Sequence, residues 1–296
     1  MDTLNAVSET ALITLKSRVQ EAEKDEPVIR DEVAQECLAK IRPLLPLETQ
    51  NRVLNRNLPE TLTRHIALRA RKYDSYAKAF IAENQSGLVV SLGSGFDTRY
   101  WRVSESAWSY IEVDLPEVIE AKKKVLGDKL TYKMIGCSVL EESWIEEVRS
   151  LQNENILFLA EGLLMYLPQA EVMGLFNKLA TSFSKSEIVF EVVNKKYTHG
   201  LWKKSVESKM KRSLGSDAGA SYEFGVREAR EIEAYGPAIK VVEEWSYFED
   251  EDIRPKFLRL FRHFKYMTRT QWTIKATIGL RSDIRRHGKR KEQCGK

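Results

Sequence analysis

Residues 88–114 constrain this chain more than any other stretch. Leu88-Val89-Val90-Ser91-Leu92 is an apolar run that stops at Gly93-Ser94-Gly95. A run of that kind suits a buried parallel strand breaking into a nucleotide-binding turn. A second run, Tyr110-Ile111-Glu112-Val113, ends at Asp114, twenty-one residues after Gly93. A ribose-binding acid belongs at that spacing. A dinucleotide fold would carry another small residue at position 98, for close helix packing. This chain has Asp97-Thr98 there, which argues against a nicotinamide oxidoreductase.

The chain is long enough, at 296 residues, for one large or two modest domains. Its net charge of +4 is concentrated at one end. Residues 281–296 hold seven Lys/Arg against two acids, so the remainder is about neutral. A nucleic-acid binder would spread its basic residues over a folded face, so no nucleic-acid partner is expected and the tail reads as a solvated, disordered end. Cys37, Cys137 and Cys294 are odd in number and lack metal-ligand spacing, which suits a reducing cytoplasm with no metal site. Neither a signal layout nor a spanning apolar run is present, so no membrane partner is expected.

Residues 1–84 read as a helical segment, with Leu62, Ile66, Tyr73, Ala77 and Phe80 striping a long last helix. Strand and helix patterns then alternate, which predicts a parallel sheet covered on both faces. Expected strands are 88–92, 109–113, 131–135, 156–160 and 187–193. Pro168 opens a helix between the last two, and 46–59 reads as a polar loop. The glycine-dotted, charged run 195–240 reads as an insertion over the strands' C-terminal ends. A strand at 241–248, a helix at 250–264 and a strand at 272–280 follow. The last alternates cleanly, as a half-exposed antiparallel strand does.

Four blocks resemble the leucine carboxyl methyltransferase family, which also takes in polyketide O-methyltransferases of the tetracenomycin type. They are Arg69-Ala70-Arg71-Lys72-Tyr73-Asp74, the glycine block from Val90 to Arg99, Glu112-Val113-Asp114-Leu115-Pro116, and Ala160-Glu161-Gly162-Leu163-Leu164-Met165-Tyr166-Leu167. The resemblance implies a class I, Rossmann-like α/β fold: a seven-stranded, mostly parallel, doubly wound sheet with an antiparallel C-terminal strand. The N-terminal helices (1–84) would pack on a methyltransferase domain (85–281), with the basic tail (282–296) beyond it. S-Adenosylmethionine (SAM) would be the cofactor and S-adenosylhomocysteine the product. Arg69 would pair with the SAM carboxylate, a bidentate role suited to guanidinium. Gly93, Gly95 and Asp97 would form the cofactor turn, Asp114 and Leu115 the ribose block, and Glu161 and Tyr166 would lie near the reacting end. Where the family usually has Asp-Leu for adenine, this chain has Ser138-Val139.

Methyl transfer from a sulfonium needs alignment and desolvation more than activation. A phenol or alcohol acceptor would want a base, for which His199 is the candidate. An ionised carboxylate needs only a cation to hold it, with Arg99, Lys195, Lys196, Arg212 and Arg227 as candidates. The absence of a clear base favours a small-molecule carboxylic acid as acceptor. A protein C-terminal carboxylate and a non-catalytic SAM-binding role are the alternatives, and a monomer or homodimer is expected.

Overall fold

The structure, a computed structural model, describes residues 9–103, 108–214 and 221–279, without the side chains of 209–214. The basic tail lies outside the described residues, as do Leu280 and Cys294. Four helical elements come first: α1 (Glu9–Ala22), α2 (Glu32–Ile41), the single turn α3 (Leu47–Thr49) and the long α4 (Glu60–Glu83).

Strands and helices then alternate: β1 (Leu88–Leu92), α5 (Arg99–Val103), β2 (Ser109–Asp114), α6 (Pro116–Leu126), β3 (Lys133–Gly136), α7 (Ser143–Ser150), β4 (Ile156–Ala160), α8 (Gln169–Ser182) and β5 (Ser186–Asn194). After β5 come α9 (Gly200–Leu214), β6 (Gly225–Val226), β7 (Ile239–Trp245), α10 (Lys265–Thr268) and β8 (Gln271–Ile278).

The sheet runs β3-β2-β1-β4-β5-β8-β7, with the two-residue β6 alongside the end of β5. β8 is antiparallel to both β5 and β7, and the pairs among β1 to β5 are parallel. This is the expected class I methyltransferase architecture, with β6 as an eighth, minimal strand. Strand order reverses between β1 and β4, and open α/β sheets bind ligands at that point.

Period-2 geometry explains why β1 and β4 are apolar throughout. Val90, Leu92 and Phe158 enter one core cluster with Trp144, Val172 and Phe176 of α7 and α8. Their neighbours Val89, Leu157 and Leu159 enter another with Tyr73, Tyr76 and Phe80 of α4. Both faces of each strand are therefore buried.

Two expectations are corrected. Residues 250–264 do not form an α-helix: a 3-10 turn (Tyr247–Glu249) and a 3-10 helix (Lys256–His263) flank an irregular stretch. Pro255 has no N–H to donate and disfavours helical geometry at Arg254 before it. The polar stretch 46–59 is not wholly loop, since α3 continues into a π-helical turn over Gln50–Leu54. Pro168 is the N-cap of α8, one position outside the helix.

Candidate active site

A cavity of about 470 Å³ opens at the switch point between β1 and β4. β1 ends in the glycine turn, where Gly93 and Gly95 have φ of 61° and 52°, a region glycine enters without steric cost. A Cβ at Gly95 would lie 3.3 Å from Ala11 of α1, and one at Gly93 2.7 Å from Leu163. The turn thus packs closely against both α1 and the β4 loop, and Thr10, Thr14 and Arg18 of α1 also line the cavity.

Asp114 ends β2 and faces the turn. Its Oδ2 accepts the Gly95 N–H at 2.6 Å and its Oδ1 the Leu115 N–H at 2.7 Å. Burial raises its pKa, against the pull of those two N–H groups. Each carboxylate oxygen keeps lone-pair capacity for a ligand hydroxyl. Leu115 beside it is 44% exposed and forms an apolar rim.

At the other wall, Glu161 directly follows β4. Its Oε1 accepts from Arg69 Nε at 2.9 Å and its Oε2 from Arg99 Nη2 at 2.5 Å. Arg69 Nη1 also reaches Glu191 Oε2 of β5, at 2.8 Å. Burial pushes the Glu161 carboxyl up, but Arg69 and Arg99 outweigh it and hold it below the usual range. Glu191 goes the other way: burial raises it despite Arg69.

These pairs belong to a longer alternating chain. Arg99 joins Glu161 to Asp74 and Asp97, and Arg102 joins Asp74 and Asp97 to Asp31. Arg18 closes it on Asp31 at 3.2 Å and donates to the Phe96 carbonyl at 2.6 Å. Five carboxylates and four guanidiniums thus tie α1, α4, α5, β4 and β5 around the cavity. Removing one member would leave its buried neighbours with fewer opposite charges than they now have, at a cost in stability.

The structure brings Arg69, Gly93, Gly95, Asp97, Asp114, Leu115, Glu161 and Tyr166 to the cavity wall. Ser138 and Val139 are not in that wall. The Ser138 hydroxyl accepts from the Leu140 N–H at 3.3 Å, and the Val139 carbonyl from Trp144 Nε1 at 3.1 Å. His199 is exposed at the start of α9, its Nδ1 3.3 Å from Thr198 Oγ1, and it too lies outside the wall. Arg99 is 1% exposed and spends its nitrogens on Asp74, Asp97 and Glu161, so it is not available to an acceptor carboxylate. Lys195, Lys196 and Arg227 do not line the cavity, and the Arg212 side chain is outside the described residues.

Sequence reasoning missed Arg18, Asp31, Arg102 and Glu191. Two of them had a signal. Glu191 interrupts the run Ile188-Val189-Phe190 with Val192-Val193, and an acid in a buried strand needs a partner. Arg102 follows Arg99 by three residues, on the same helix face. Arg18 and Asp31 offer none, because their partners come from distant segments.

The wall suits a cationic ligand with polar ends. It carries Arg18, Arg69 and Arg99 against Asp97, Asp114, Glu161 and Glu223, an excess of one negative charge opposite the net positive charge of SAM. Ser94 Oγ is buried at the turn without a hydrogen-bond partner, a group a ligand can satisfy. The model of the leucine carboxyl methyltransferase family matches residues 11–180, more than half of the chain. Among relatives, the tetracenomycin polyketide synthesis O-methyltransferase TcmP of Streptomyces glaucescens is 29% identical over 85% of this chain and 88% of its own. The SAM-dependent methyltransferase dpfgK of Gibberella zeae is 25% identical over 84% and 85%. The chain belongs to the leucine carboxyl methyltransferase family and is a SAM-dependent methyltransferase.

Proposed function

We propose that the enzyme methylates a carboxylate of a small, polyketide-like acid, giving a methyl ester and S-adenosylhomocysteine. The observation that carries this reading is the lack of a base. Among the described residues lining the cavity there is no histidine. Asp97, Glu161 and Glu223 are each paired with a cation, Glu223 with Lys203 at 2.7 Å, and Asp114 is engaged by the Gly95 and Leu115 N–H groups and assigned to the ribose. Tyr166 is no substitute, because burial pushes its phenol up to about 12. An ionised carboxylate has no proton to lose, so such a site can serve it. The likeness to TcmP, an O-methyltransferase of polyketide synthesis, supports the acceptor class.

In this reading the bound SAM supplies an already activated methyl group, and the protein supplies alignment and water exclusion. Arg69 turns Nη2 toward the amino-acid end, and Asp114 accepts from the ribose hydroxyls. Leu115 covers one face of the adenine, in place of the Ser138-Val139 role implied by the resemblance. Thr10, Thr14 and Arg18 of α1 line the cavity beside the sheet residues, so residues 9–84 and the sheet domain work as one unit.

The test uses methyl-labelled SAM with an aromatic polyketide acid and its decarboxylated hydroxyl analogue. Label released as methanol by mild alkali is the expected result. An alkali-stable methyl ether, or label on a peptide C-terminus in preference to the small acid, would overturn the proposal.

A further inference from the structure

The 3-10 helix at residues 256–263 has three residues per turn, so its side chains fall into rows. Leu258 and Phe261 form the inward row, packed on the cluster of Leu68, Trp245, Phe248 and Ile253. A second row, Phe257 and Leu260, is 60% and 66% exposed. The third is basic: Lys256, Arg259 and Arg262. Phe264 and Tyr266, 59% and 65% exposed, continue the apolar surface. From Ile253 to Gln271 the chain holds six Lys/Arg and no acid.

The surface continues across to α9. Lys196 Nζ lies 3.8 Å from the centre of the Tyr266 ring and 5.4 Å from that of Trp202. Trp202 and Leu201 are themselves largely exposed. Arg259 pairs with Glu251 at 2.9 Å. Lys256, Arg262 and Lys265 make no ion pair among the described residues. Exposed Phe, Leu, Tyr and Trp interleaved with Lys and Arg are what an interfacial segment requires, rings in the headgroup region and cations on the phosphates.

We propose that residues 196–202 and 256–266 form a docking face for an anionic membrane surface. The two segments hold no acid of their own, and Glu251 beside them is taken up by Arg259, so like charge sets two copies of this face against one another and an anionic partner fits where a second copy does not. The rings of Trp202, Phe257, Phe264 and Tyr266 are more than half exposed, which leaves them area to bury among lipid chains. This adds a peripheral contact that a search for spanning segments does not address, and no described helix is long and apolar enough to cross a membrane. The face also borders the cavity: Lys203, next to Trp202, bonds Glu223 on its wall. An acceptor that partitions into lipid would meet the enzyme there.

The test is flotation of the full chain with vesicles of phosphatidylcholine alone and of equal parts phosphatidylcholine and phosphatidylglycerol. Binding to the anionic vesicles only, weakened by salt, is expected, because screening shortens the reach of the cations. Phe257→Ser with Leu260→Ser should lower partitioning at least about tenfold, since both side chains lose most of their apolar transfer. Lys256→Glu with Arg262→Glu should lower it comparably. Each pair should leave the thermal midpoint and SAM binding unchanged, as these side chains lie on the surface away from the cavity. No binding by the parent chain would overturn the proposal. So would undiminished binding by both double variants, which would assign the attraction to the basic tail they retain. Self-association abolished by the Phe257/Leu260 pair, without vesicle binding, would overturn it in favour of a second copy.

Discussion

Gly162 lies flat against the Arg69 guanidinium: a Cβ at position 162, where φ is 64°, would sit 3.4 Å from Nη2 and 3.5 Å from Nη1. The guanidinium Nε and Nη1 are bonded to Glu161 and Glu191, so in the proposed site Nη2 is the nitrogen left for the amino-acid end of the cofactor. Gly162→Ala is expected to cost about 1–2 kcal/mol in backbone strain and, through that strain, to shift the loop on which the guanidinium packs. Titration calorimetry should find SAM binding about tenfold weaker, a loss of ~1.4 kcal/mol, with the fold retained. Unchanged affinity would show that the loop conformation at Gly162 does not set the cofactor site.

Asp114 already bonds the Gly95 and Leu115 N–H groups, so it shapes the turn as well as holding the ribose in the proposed site. Asp114→Ala should remove both effects. Hydrogen bonds to a charged group contribute about 1.5–3 kcal/mol, which sets a loss of SAM affinity of ten- to a hundredfold or so. Asp114→Asn keeps one acceptor and should fall between. Stabilisation by excess SAM is a mass-action effect, so the thermal shift seen with the parent chain should shrink in the same order. A full shift with Asp114→Ala would remove Asp114 from the ribose.

Most of what positions the site was legible as pattern. Strands 88–92 and 156–160 are found where their apolar runs lie, because a parallel strand must be apolar on both faces. The wall residues Arg69, Gly93, Asp114 and Glu161 stand at strand ends and on α4, in blocks with recognisable spacing. The charged chain behind them was not legible. Arg18 and Asp31 gain their roles only when α1 and α2 fold back over the turn, and nothing local distinguishes them from solvated residues. His199 failed for the same reason: its position after β5 suggested reach into the cavity, whereas the turn at Lys195–Thr198 leaves it in solvent. The 3-10 helix at Lys256–His263 has apolar residues at spacings that fit an α-helix equally well, and only Pro255 hinted otherwise.

Acid should expose the charged chain. Burial pushes the Asp97 carboxyl up, but Arg99 and Arg102 hold it well below the usual carboxylate range, and Asp31 is likewise lowered by Arg102 and Arg18. A folded pKa below the unfolded one means that these groups stabilise the fold fully above about pH 4. That contribution is lost as pH falls through their folded values. Thermal midpoints measured from neutral pH down to about pH 3 should therefore drop steeply below about pH 4. Asp97→Asn, which keeps an acceptor for the Thr98 N–H, should start lower and fall less. Parallel curves for the two proteins would show that Asp97 is not a source of the acid sensitivity.

Lys122 and Glu112 form an ion pair with both side chains 0% exposed, and the same ammonium donates to the Asp97 carbonyl at 2.6 Å. α6 is thereby fastened to the glycine turn from behind. Glu112 also accepts from the Tyr132 hydroxyl at 3.2 Å. Lys122→Met leaves a buried carboxylate without its cation and should cost about 3–5 kcal/mol of stability in urea unfolding. Glu112→Leu added to it removes the stranded charge, so the double variant should be more stable than Lys122→Met alone, by ~1 kcal/mol or more. It cannot return to the parent value, because the Asp97 carbonyl and the Tyr132 hydroxyl still lack a partner. The turn it held is also looser, so SAM should bind the double variant more weakly than its remaining stability accounts for. Simple additivity of the two substitutions, measured as a double-mutant cycle, would mean the pair does not act as a unit. Parent-like SAM affinity in the double variant would mean that the glycine turn is set by β1 and Asp114 alone.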